Sequence, residues 1–192
     1  MQCIRFVVIG DSAKFADGNP HTYDSLIRHL AALGSRLLAD GGRITLFCTD
    51  IGVDPPSVND LELALKNTSR LPADDLVDVA VPRSTTDLLC AMSAMDYVIT
   101  CRFHGVVFAH LLNIPVIALS HHSKIMTLMD DLGLSRYCLD IRTVESDSLT
   151  DTFFDLVENA AQIKSRMSAR YLSYKDALGR QFDNLFPQSV DV

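Results

Sequence analysis

Short apolar segments that alternate with helical segments constrain the fold of this chain most strongly. Each apolar segment has the length of a buried parallel strand, and each is followed by residues whose apolar positions repeat at helical spacing. The apolar segments lie at 4–9, 43–48, 76–81, the start of 96–105, 114–119 and 137–139. This alternation predicts an α/β fold, with a single Rossmann-like, doubly wound parallel sheet of about six strands and helices on both faces.

The C-terminal part of the chain has a different pattern. Residues 148–178 contain no proline or glycine, and their apolar residues follow a helical period. This predicts one long C-terminal helix, or two helices with a break between them. The distal part carries more apolar surface than a small domain buries, so we expect a surface strut or a contact with something absent from this chain. Without repeats or low-complexity linkers, we expect residues 1–192 to form one domain.

Charge and cysteine content narrow the range of partners. The 192 residues carry a formal net charge of −7, which disfavours a nucleic-acid surface or a polybasic membrane surface. The five cysteines are scattered without a C-x-x-C pair, which is typical of buried thiols in a reducing compartment. No apolar run reaches the roughly 18 residues of a membrane span. We therefore expect a soluble, cytoplasmic chain with no transmembrane segment.

The stretch 96–105 ends in residues that suit an anion. Its strand leads into Arg102, His104 and Gly105, which open an apolar helix. Open α/β sheets bind ligands at the carboxyl ends of their strands. Arginine offers a planar fork for carboxylate or phosphate, histidine moves a proton near neutral pH, and glycine lets a ligand approach the helix amides. The alternative is structural, with Arg102 paired to Asp96 and His104 capping the helix.

Lys124 follows the next strand and would add a second cation. Consecutive strands are usually neighbours, so its turn should lie beside that of Arg102, although a solvated lysine is the simpler interpretation of Lys124 alone. His121 and His122 share this turn and should point in opposite directions, so that at most one faces the site. A metal centre of these two with His104 lacks an acidic or cysteine ligand at suitable spacing, and we expect no metal.

Other polar residues are weaker candidates. Asp11, Ser12 and Asp50 follow the first two strands and would bind hydroxyl groups or cap helices, whereas His21 is expected to be a solvated loop residue. His110 lies in the apolar helix and is expected to be a satisfied core histidine. The motifs G-x-G-x-x-G, G-x-x-x-x-G-K-[ST] and G-x-S-x-G do not occur, which disfavours a nicotinamide enzyme, a P-loop enzyme and an α/β-hydrolase.

Four short motifs follow one another in the second half of the chain. They are D-x-V-I at 96–99, R-x-H-x-x-x-x-A at 102–109, I-P-V-I at 114–117 and the following Lys124. In this order they resemble the polysaccharide pyruvyl transferase family, and the likeness extends from about residue 84 to residue 139. Members of that family have a glycosyltransferase-B-like fold of two Rossmann-like halves. They transfer the enolpyruvyl carbons of phosphoenolpyruvate to sugar hydroxyls as a pyruvate ketal.

The resemblance implies roles for individual residues. Arg102 would bind the carboxylate or phosphate of phosphoenolpyruvate, and His104 would protonate its methylene carbon or donate to the phosphate. Lys124 would complete the anion site, together with Gly105 and His121. His121 stands where members often have an aromatic residue in a turn of the form S-Y-x-x-K. The implied partners are phosphoenolpyruvate as donor substrate and a saccharide acceptor, without a cofactor.

Two features depart from the family pattern. A basic residue is common after the first strand of this half, but here that place reads Gly10-Asp11-Ser12, with only Lys14 nearby. Two Rossmann-like halves also need about twice this length. The chain is therefore expected to be the C-terminal half, with little or no activity without an N-terminal half. Peripheral membrane association through a lipid-linked acceptor is left open.

Two further interpretations compete with pyruvyl transfer. One is half of a nucleotide-sugar glycosyltransferase, which shares the fold and typically places a glutamate on the helix before a G-x-P-V-I run, to hold ribose hydroxyls. Phe108 stands at about that position here, and residues 104–113 contain no acidic residue. The other is a non-catalytic module that binds an anion or a glycan.

Overall fold

The computed structural model describes residues 5–9, 19–47, 55–69 and 76–186. Six strands form one parallel sheet in the order β3-β2-β1-β4-β5-β6. The strands are β1 (Arg5–Ile9), β2 (Arg43–Phe47), β3 (Val77–Ala80), β4 (Tyr97–Thr100), β5 (Val116–Leu119) and β6 (Cys138–Leu139). The sequence-based fold class is confirmed, and the short last strand lies at the edge of the sheet.

Seven α-helices are described, and a 3₁₀ turn at Ser135–Tyr137 precedes β6. The helices are α1 (Pro20–Ala39), α2 (Pro55–Thr68), α3 (Thr85–Ser93), α4 (Phe103–Leu111), α5 (Ser123–Asp131), α6 (Ser146–Glu158) and α7 (Ala160–Leu185). Helix α1 packs against α2 and α6, whereas α4 packs against α5 and α7. Because crossovers between parallel strands are right-handed, the change of direction after β3 places these two groups on opposite faces of the sheet.

The centre of the sheet is almost entirely apolar because it is covered on both faces. Every residue of β5 is buried, as are the last three of β4. Side chains from the helices fill the space above and below them, and Phe153 of α6 packs edge-on against Tyr97 at 5.6 Å between ring centroids. Such continuous apolar strands are what a parallel sheet requires, and they explain why the sequence pattern identified them.

Two helices end at glycines with a left-handed backbone. Gly41 has a φ of 84°, and the amides of Gly41 and Gly42 donate to the carbonyls of Leu38 and Leu37. This is the Schellman arrangement, in which a left-handed residue after the helix satisfies its last carbonyls. Gly133 closes α5 in the same way, with a φ of 69°.

Serines stand at different places in the first turns of two other helices. The Ser84 hydroxyl accepts a hydrogen bond from the amide of Asp87 at 3.1 Å and so caps the start of α3. Helix α2 begins at Pro55, and Ser57 lies buried within its first turn.

The C-terminal stretch forms two helices that meet at Asn159. Its side-chain amide donates to the carbonyl of Asp155 at 2.8 Å, and its own carbonyl accepts from the amide of Ile163. A side chain that bonds the preceding turn competes with the helical ladder, which accounts for the break here. The second helix continues seven residues beyond the predicted end at 178.

No helix in the described parts of the chain is both long and apolar enough to cross a bilayer.

Candidate functional site

The predicted site residues follow the carboxyl ends of two paired strands. Strands β4 and β5 are neighbours, with Thr100 opposite Ala118 in the register. Strands β2 and β3 lie on one side of β1, whereas β4 and β5 lie on its other side. The topological switch point therefore falls between β1 and β4, and Arg102, which follows β4, lies beside it. That is where open α/β sheets form a ligand crevice.

Two buried hydroxyls build matching turns at this edge. The Thr100 hydroxyl accepts a hydrogen bond from the Arg102 amide at 3.0 Å, and the Ser120 hydroxyl accepts one from the His122 amide at 3.0 Å. Both hydroxyl-bearing residues are almost fully buried. The two turns therefore leave the sheet with fixed geometry, and each leads directly into a helix. The sequence analysis did not single out Thr100 or Ser120, although both stand at the ends of predicted strands.

The two helices that start here have no side-chain cap. Arg102 and His122 occupy the N-cap positions of α4 and α5, and neither side chain bonds the first turn. By contrast, Asn19 and Ser84 cap α1 and α3 with side-chain oxygens. An uncapped N-terminus presents amide donors and the positive end of the helix dipole, which both favour a bound anion.

A cation and an imidazole meet on one aromatic ring. The Lys124 Nζ lies 4.1 Å from the centroid of the Phe103 ring, and the His104 ring forms a T-shaped pair with the same ring, with the two centroids 5.8 Å apart. The turns of Arg102 and Lys124 are therefore adjacent, as expected. The His104 ring also lies 6.1 Å from that of Phe108. The sequence analysis missed Phe103, because a lone aromatic residue at the start of an apolar helix carries no distinct signal.

The residues at this edge differ in their exposure to solvent. Lys124 and His104 are exposed, Arg102 and Phe103 are half-buried, and Gly105 is buried in the first turn of α4. The ammonium and the imidazole are thus open to a ligand in the crevice. The half-buried ring beneath them restricts their positions.

The predicted orientation of His121 and His122 is wrong. Their rings lie 4.3 Å apart at an interplanar angle of 34°, so the two side chains stand together. The Ser120 hydroxyl accepts a hydrogen bond from the amide of His122, so the chain turns at His121 and does not continue as an extended strand. His121 is half-buried and His122 is exposed.

An ion pair stands near His121 at the end of β6. Arg142 donates two hydrogen bonds to the carboxylate of Asp140, at 2.9 and 2.5 Å. These bonds, supported by the Arg142 amide and by the nearby His121, hold the pKa of Asp140 down to about 2. Because Arg142 forms this ion pair, we do not count it among the candidate ligands for an anion.

The other candidate residues from the sequence do not add to this site. Asp11, Ser12, Asp50 and Lys14 fall outside the described residues. His21 is exposed in the first turn of α1. Within the described segments, no three histidine, cysteine or acidic side chains cluster in a way that would hold a metal ion.

His110 is buried as predicted, but it is not satisfied. Neither ring nitrogen has a hydrogen-bond partner among the described residues, and the ring packs edge-on against Tyr174 at 6.1 Å. Burial lowers the pKa of this histidine below its ordinary value. His110 ends α4 and therefore lies at the opposite end of that helix from His104.

Comparison with solved structures identifies the fold. The UDP co-structure of MnaA from S. aureus superposes with a TM-score of 0.59 at 12% identity, covering 87% of this chain and 40% of that one. UDP-GlcNAc 2-epimerase from Neisseria meningitidis, bound to UDP-GlcNAc, gives 0.56 at 11% identity, covering 93% and 45%. Spinosyn rhamnosyltransferase SpnG, complexed with spinosyn aglycone, gives 0.55 at 15% identity, covering 88% and 43%.

At these identities the likeness concerns the fold alone, which is glycosyltransferase-B-like. The chain spans less than half the length of each of these structures. No curated protein matches it. The family model described as polysaccharide pyruvyl transferase matches residues 7–123, more than half of the chain. The chain therefore belongs to the polysaccharide pyruvyl transferase family.

Proposed function

We propose that this chain forms the phosphoenolpyruvate-binding half of a transferase that adds a pyruvate ketal to a glycan or a glycan precursor. The cationic cluster at the carboxyl edge carries the proposal. Lys124 is held over Phe103, the residue that follows Arg102, and α4 and α5 both begin at this edge without a side-chain cap. Membership of the family supports the reaction class.

The residue types fit the charge of the donor. Phosphoenolpyruvate has three carbons, and its carboxylate and its phosphate are both attached to the central one. In the proposal, Arg102 binds one of these groups through its planar fork, and Lys124 acts as a point charge for the other. The first amides of α4, at Phe103, His104 and Gly105, add neutral donors. His121, at the start of the turn before Lys124, lines the same pocket.

The reaction needs a proton at carbon and a place for the departing phosphate. His104 donates a proton to the methylene carbon as an acceptor hydroxyl oxygen bonds to the central carbon. A second hydroxyl of the same sugar then displaces phosphate, and the two hydroxyl protons regenerate His104 and pass to solvent or phosphate. Arg102 and Lys124 stabilise the negative charge that accumulates on the leaving phosphate. No cofactor is required.

The acceptor requires a second wall for the cleft. This chain spans 40% of the MnaA structure, and its site residues stand on one edge of a single sheet. The sequence analysis expects the other wall to be an N-terminal Rossmann-like half. Without a second wall we expect donor binding and little transfer. We place the reaction in the cytoplasm, at a soluble or lipid-linked saccharide acceptor.

A nucleotide-sugar donor is the competing proposal, because two of the similar structures contain UDP or UDP-GlcNAc. The half-buried ring of Phe108 lies 6.1 Å from the ring of His104 and offers no carboxylate to ribose hydroxyls. This observation favours phosphoenolpyruvate.

Substitution of the two cations tests the proposal. Binding of phosphoenolpyruvate should weaken at least about tenfold in Arg102→Ala and in Lys124→Ala, since each removes a charge-assisted hydrogen bond. Lys164→Ala, which removes an exposed lysine on α7, is the matched control and should bind normally. If both site variants bind phosphoenolpyruvate as tightly as the unsubstituted chain, the site assignment is wrong.

A further inference from the structure

A cavity of about 250 Å³ lies between the end of α4 and the middle of α7. It is lined from both sides by His110, Leu111, Asn113, Ser168, Tyr171 and Leu172. Helix α7 is fixed at this level, because Met167 is fully buried and Arg170 donates to the carbonyl of Asp131 at the end of α5. The space is far larger than a single water molecule needs, so it has room for a small ligand.

Two residues in the walls of this cavity carry buried polar atoms without a hydrogen-bond partner among the described residues. The atoms are Nδ1 and Nε2 of His110 and Oδ1 of Asn113. His110 is only 8% exposed. Buried polar atoms without partners are rare, and each one costs stability. Two such residues around one cavity are expected where a polar ligand supplies the missing hydrogen bonds.

The polar groups around the cavity define what a ligand must offer. Because burial lowers the pKa of His110, its neutral ring has one donor and one acceptor nitrogen at pH 7. Asn113 Oδ1 accepts, and the Ser168 hydroxyl can donate or accept. In the described part of the chain, no charged side chain lines the cavity. The matching ligand is therefore uncharged and carries groups that both donate and accept, as hydroxyl groups do.

The rest of the lining is apolar and partly open. Leu111, Tyr171 and Leu172 are all exposed to solvent at the mouth of the cavity. Sites for small molecules commonly combine such apolar surface with a few polar groups that fix orientation. A sugar ring has both properties, because the C–H groups of one face pack on an aromatic ring while its hydroxyls extend from the rim.

We propose that this cavity binds one neutral pyranose unit of a glycan. The face of the sugar packs on Tyr171, and its hydroxyls bond to His110 and Asn113. The cavity is remote from the donor site, since the six residues from His104 to His110 span about 9 Å of helix. Asn113 lies three residues before β5, at the amino edge of the sheet.

This location separates the sugar site from the donor cleft. The second wall that the cleft requires faces the carboxyl edge of the sheet, so it does not supply partners for polar atoms at the opposite end of α4. A glycan bound here would be held by a unit distant from the sugar that reacts. That role rests on the proposed function, whereas sugar binding itself does not.

Saturation-transfer difference NMR on the 192-residue chain tests the proposal, because it detects weak binding at millimolar concentrations. The probes are the methyl glycosides of glucose, galactose, mannose and N-acetylglucosamine. At least one of them should receive saturation from the protein, and its dissociation constant follows from a titration. If none of the four receives saturation, the proposal is overturned.

Two substitutions assign the bound sugar to the cavity. Tyr171→Ala removes an exposed ring and should weaken binding at least about fivefold. Asn113→Gly removes the unpartnered oxygen and should weaken it about twofold to tenfold, the usual effect of one hydrogen bond. Glycine readily adopts the φ of 55° found at Asn113, so the backbone is retained. Leu178→Ala, in the neighbouring apolar groove, is the control and should bind normally. Equal binding by Tyr171→Ala and the unsubstituted chain would overturn the proposal.

Arg102→Ala distinguishes this site from the donor site. It should weaken phosphoenolpyruvate binding and leave glycoside binding unchanged. Glycoside binding that is lost in Arg102→Ala and kept in Tyr171→Ala would place the sugar at the carboxyl edge and overturn the proposal. A chain that binds phosphoenolpyruvate and no glycoside contradicts only the sugar site. A chain that binds a glycoside through Tyr171 and does not bind phosphoenolpyruvate contradicts only the donor assignment.

Discussion

The Lys124 ammonium lies 4.1 Å from the centroid of the Phe103 ring, which joins the turns that follow β4 and β5. This contact also restricts the orientation of the lysine side chain. Phe103 sits between Arg102 and His104 in sequence, so the ring orients the lysine towards the residues of the neighbouring turn. Without the ring, an exposed lysine with four rotatable bonds would sample many positions.

Replacement of the ring should therefore weaken donor binding. In Phe103→Leu the cation–π contact, worth about 0.5–1 kcal/mol at an exposed site, is lost, and phosphoenolpyruvate binding should fall by roughly twofold to fivefold. Isothermal titration calorimetry measures the change. Phe154→Leu is the matched control, because its ring contacts the guanidinium of Arg36 at 4.6 Å in a cation–π pair on α1 and α6. Equal losses in both variants would contradict the role of Phe103.

A buried phenol ties the 3₁₀ turn before β6 to α6. The Tyr137 hydroxyl donates to the Asp155 carboxylate at 2.7 Å, and Arg136 pairs with the same carboxylate. Tyr137→Phe should lower the free energy of unfolding by about 1 kcal/mol, the usual net value of one hydrogen bond. Urea denaturation measures this, with Tyr171→Phe on exposed α7 as the control. No loss at Tyr137, or an equal loss at Tyr171, would contradict the contact.

The same phenol predicts a loss of stability in alkali. Burial, followed by the hydrogen bond to Asp155, raises the pKa of Tyr137 to about 12. The folded chain then keeps the phenol proton to higher pH than the unfolded chain does. Its contribution is complete below the ordinary value of 10.0 and is lost as the pH rises towards 12. Denaturation midpoints measured between these limits should fall less steeply in Tyr137→Phe than in the unsubstituted chain.

His110 predicts a loss of stability in acid. Burial lowers its pKa below the ordinary value of 6.5, so the unfolded chain takes up a proton that the folded ring resists. Stability should be complete above that value and should fall as the pH decreases through it. His29, whose pKa is lowered by burial and by Arg28, adds to this fall. The chain should therefore lose stability between pH 7 and about pH 5.

Replacement of His110 should remove part of this dependence. In His110→Leu the buried nitrogens without partners disappear, so the cost at pH 7 should be small and the fall on acidification should shrink. Urea midpoints at the two pH values measure both effects, and His29 accounts for what remains. An unchanged fall in His110→Leu would contradict the assignment.

Close packing explains a glycine inside α1. A Cβ atom on Gly34 would lie 2.5 Å from Leu65 Cδ2 and 3.1 Å from Ile44 Cδ1. Gly34→Ala should therefore destabilise the fold by about 1–3 kcal/mol, although alanine favours a helix. In a Leu65→Val background the same change should cost less, because the clashing methyl group has moved back. A double-mutant cycle in urea measures this coupling, and additive effects would contradict the packing argument.

The sequence was sufficient for most of the fold because buried parallel strands leave a simple pattern. A short, fully apolar run such as Val116–Leu119 is typical of a buried strand in a chain of this size. The sequence also located Arg102, His104 and Lys124 at strand ends, where the topology brings them to one edge. The break at Asn159 was left open, since one asparagine that bonds back to Asp155 does not stand out among helix-forming residues.

The features that could not be predicted from the sequence depend on contacts between side chains. His121 and His122 were expected to diverge because an extended backbone alternates its side chains. The turn that the Ser120 hydroxyl closes with the His122 amide brings the two rings together instead. His110 was expected to have partners because most buried histidines do. The ring of Phe103 beneath Lys124 joins residues 21 positions apart, and no local pattern encodes such a contact.

The donor class is the central claim, and thermal unfolding with competing ligands tests it most directly. The unsubstituted chain is heated with phosphoenolpyruvate, with UDP-GlcNAc or with inorganic phosphate. Phosphoenolpyruvate should raise the midpoint most, since a ligand at 100 times its dissociation constant stabilises by about 2.7 kcal/mol. Arg102→Ala, which weakens binding at least about tenfold, should reduce the shift by about half or more. Stabilisation by UDP-GlcNAc with none by phosphoenolpyruvate would contradict the account.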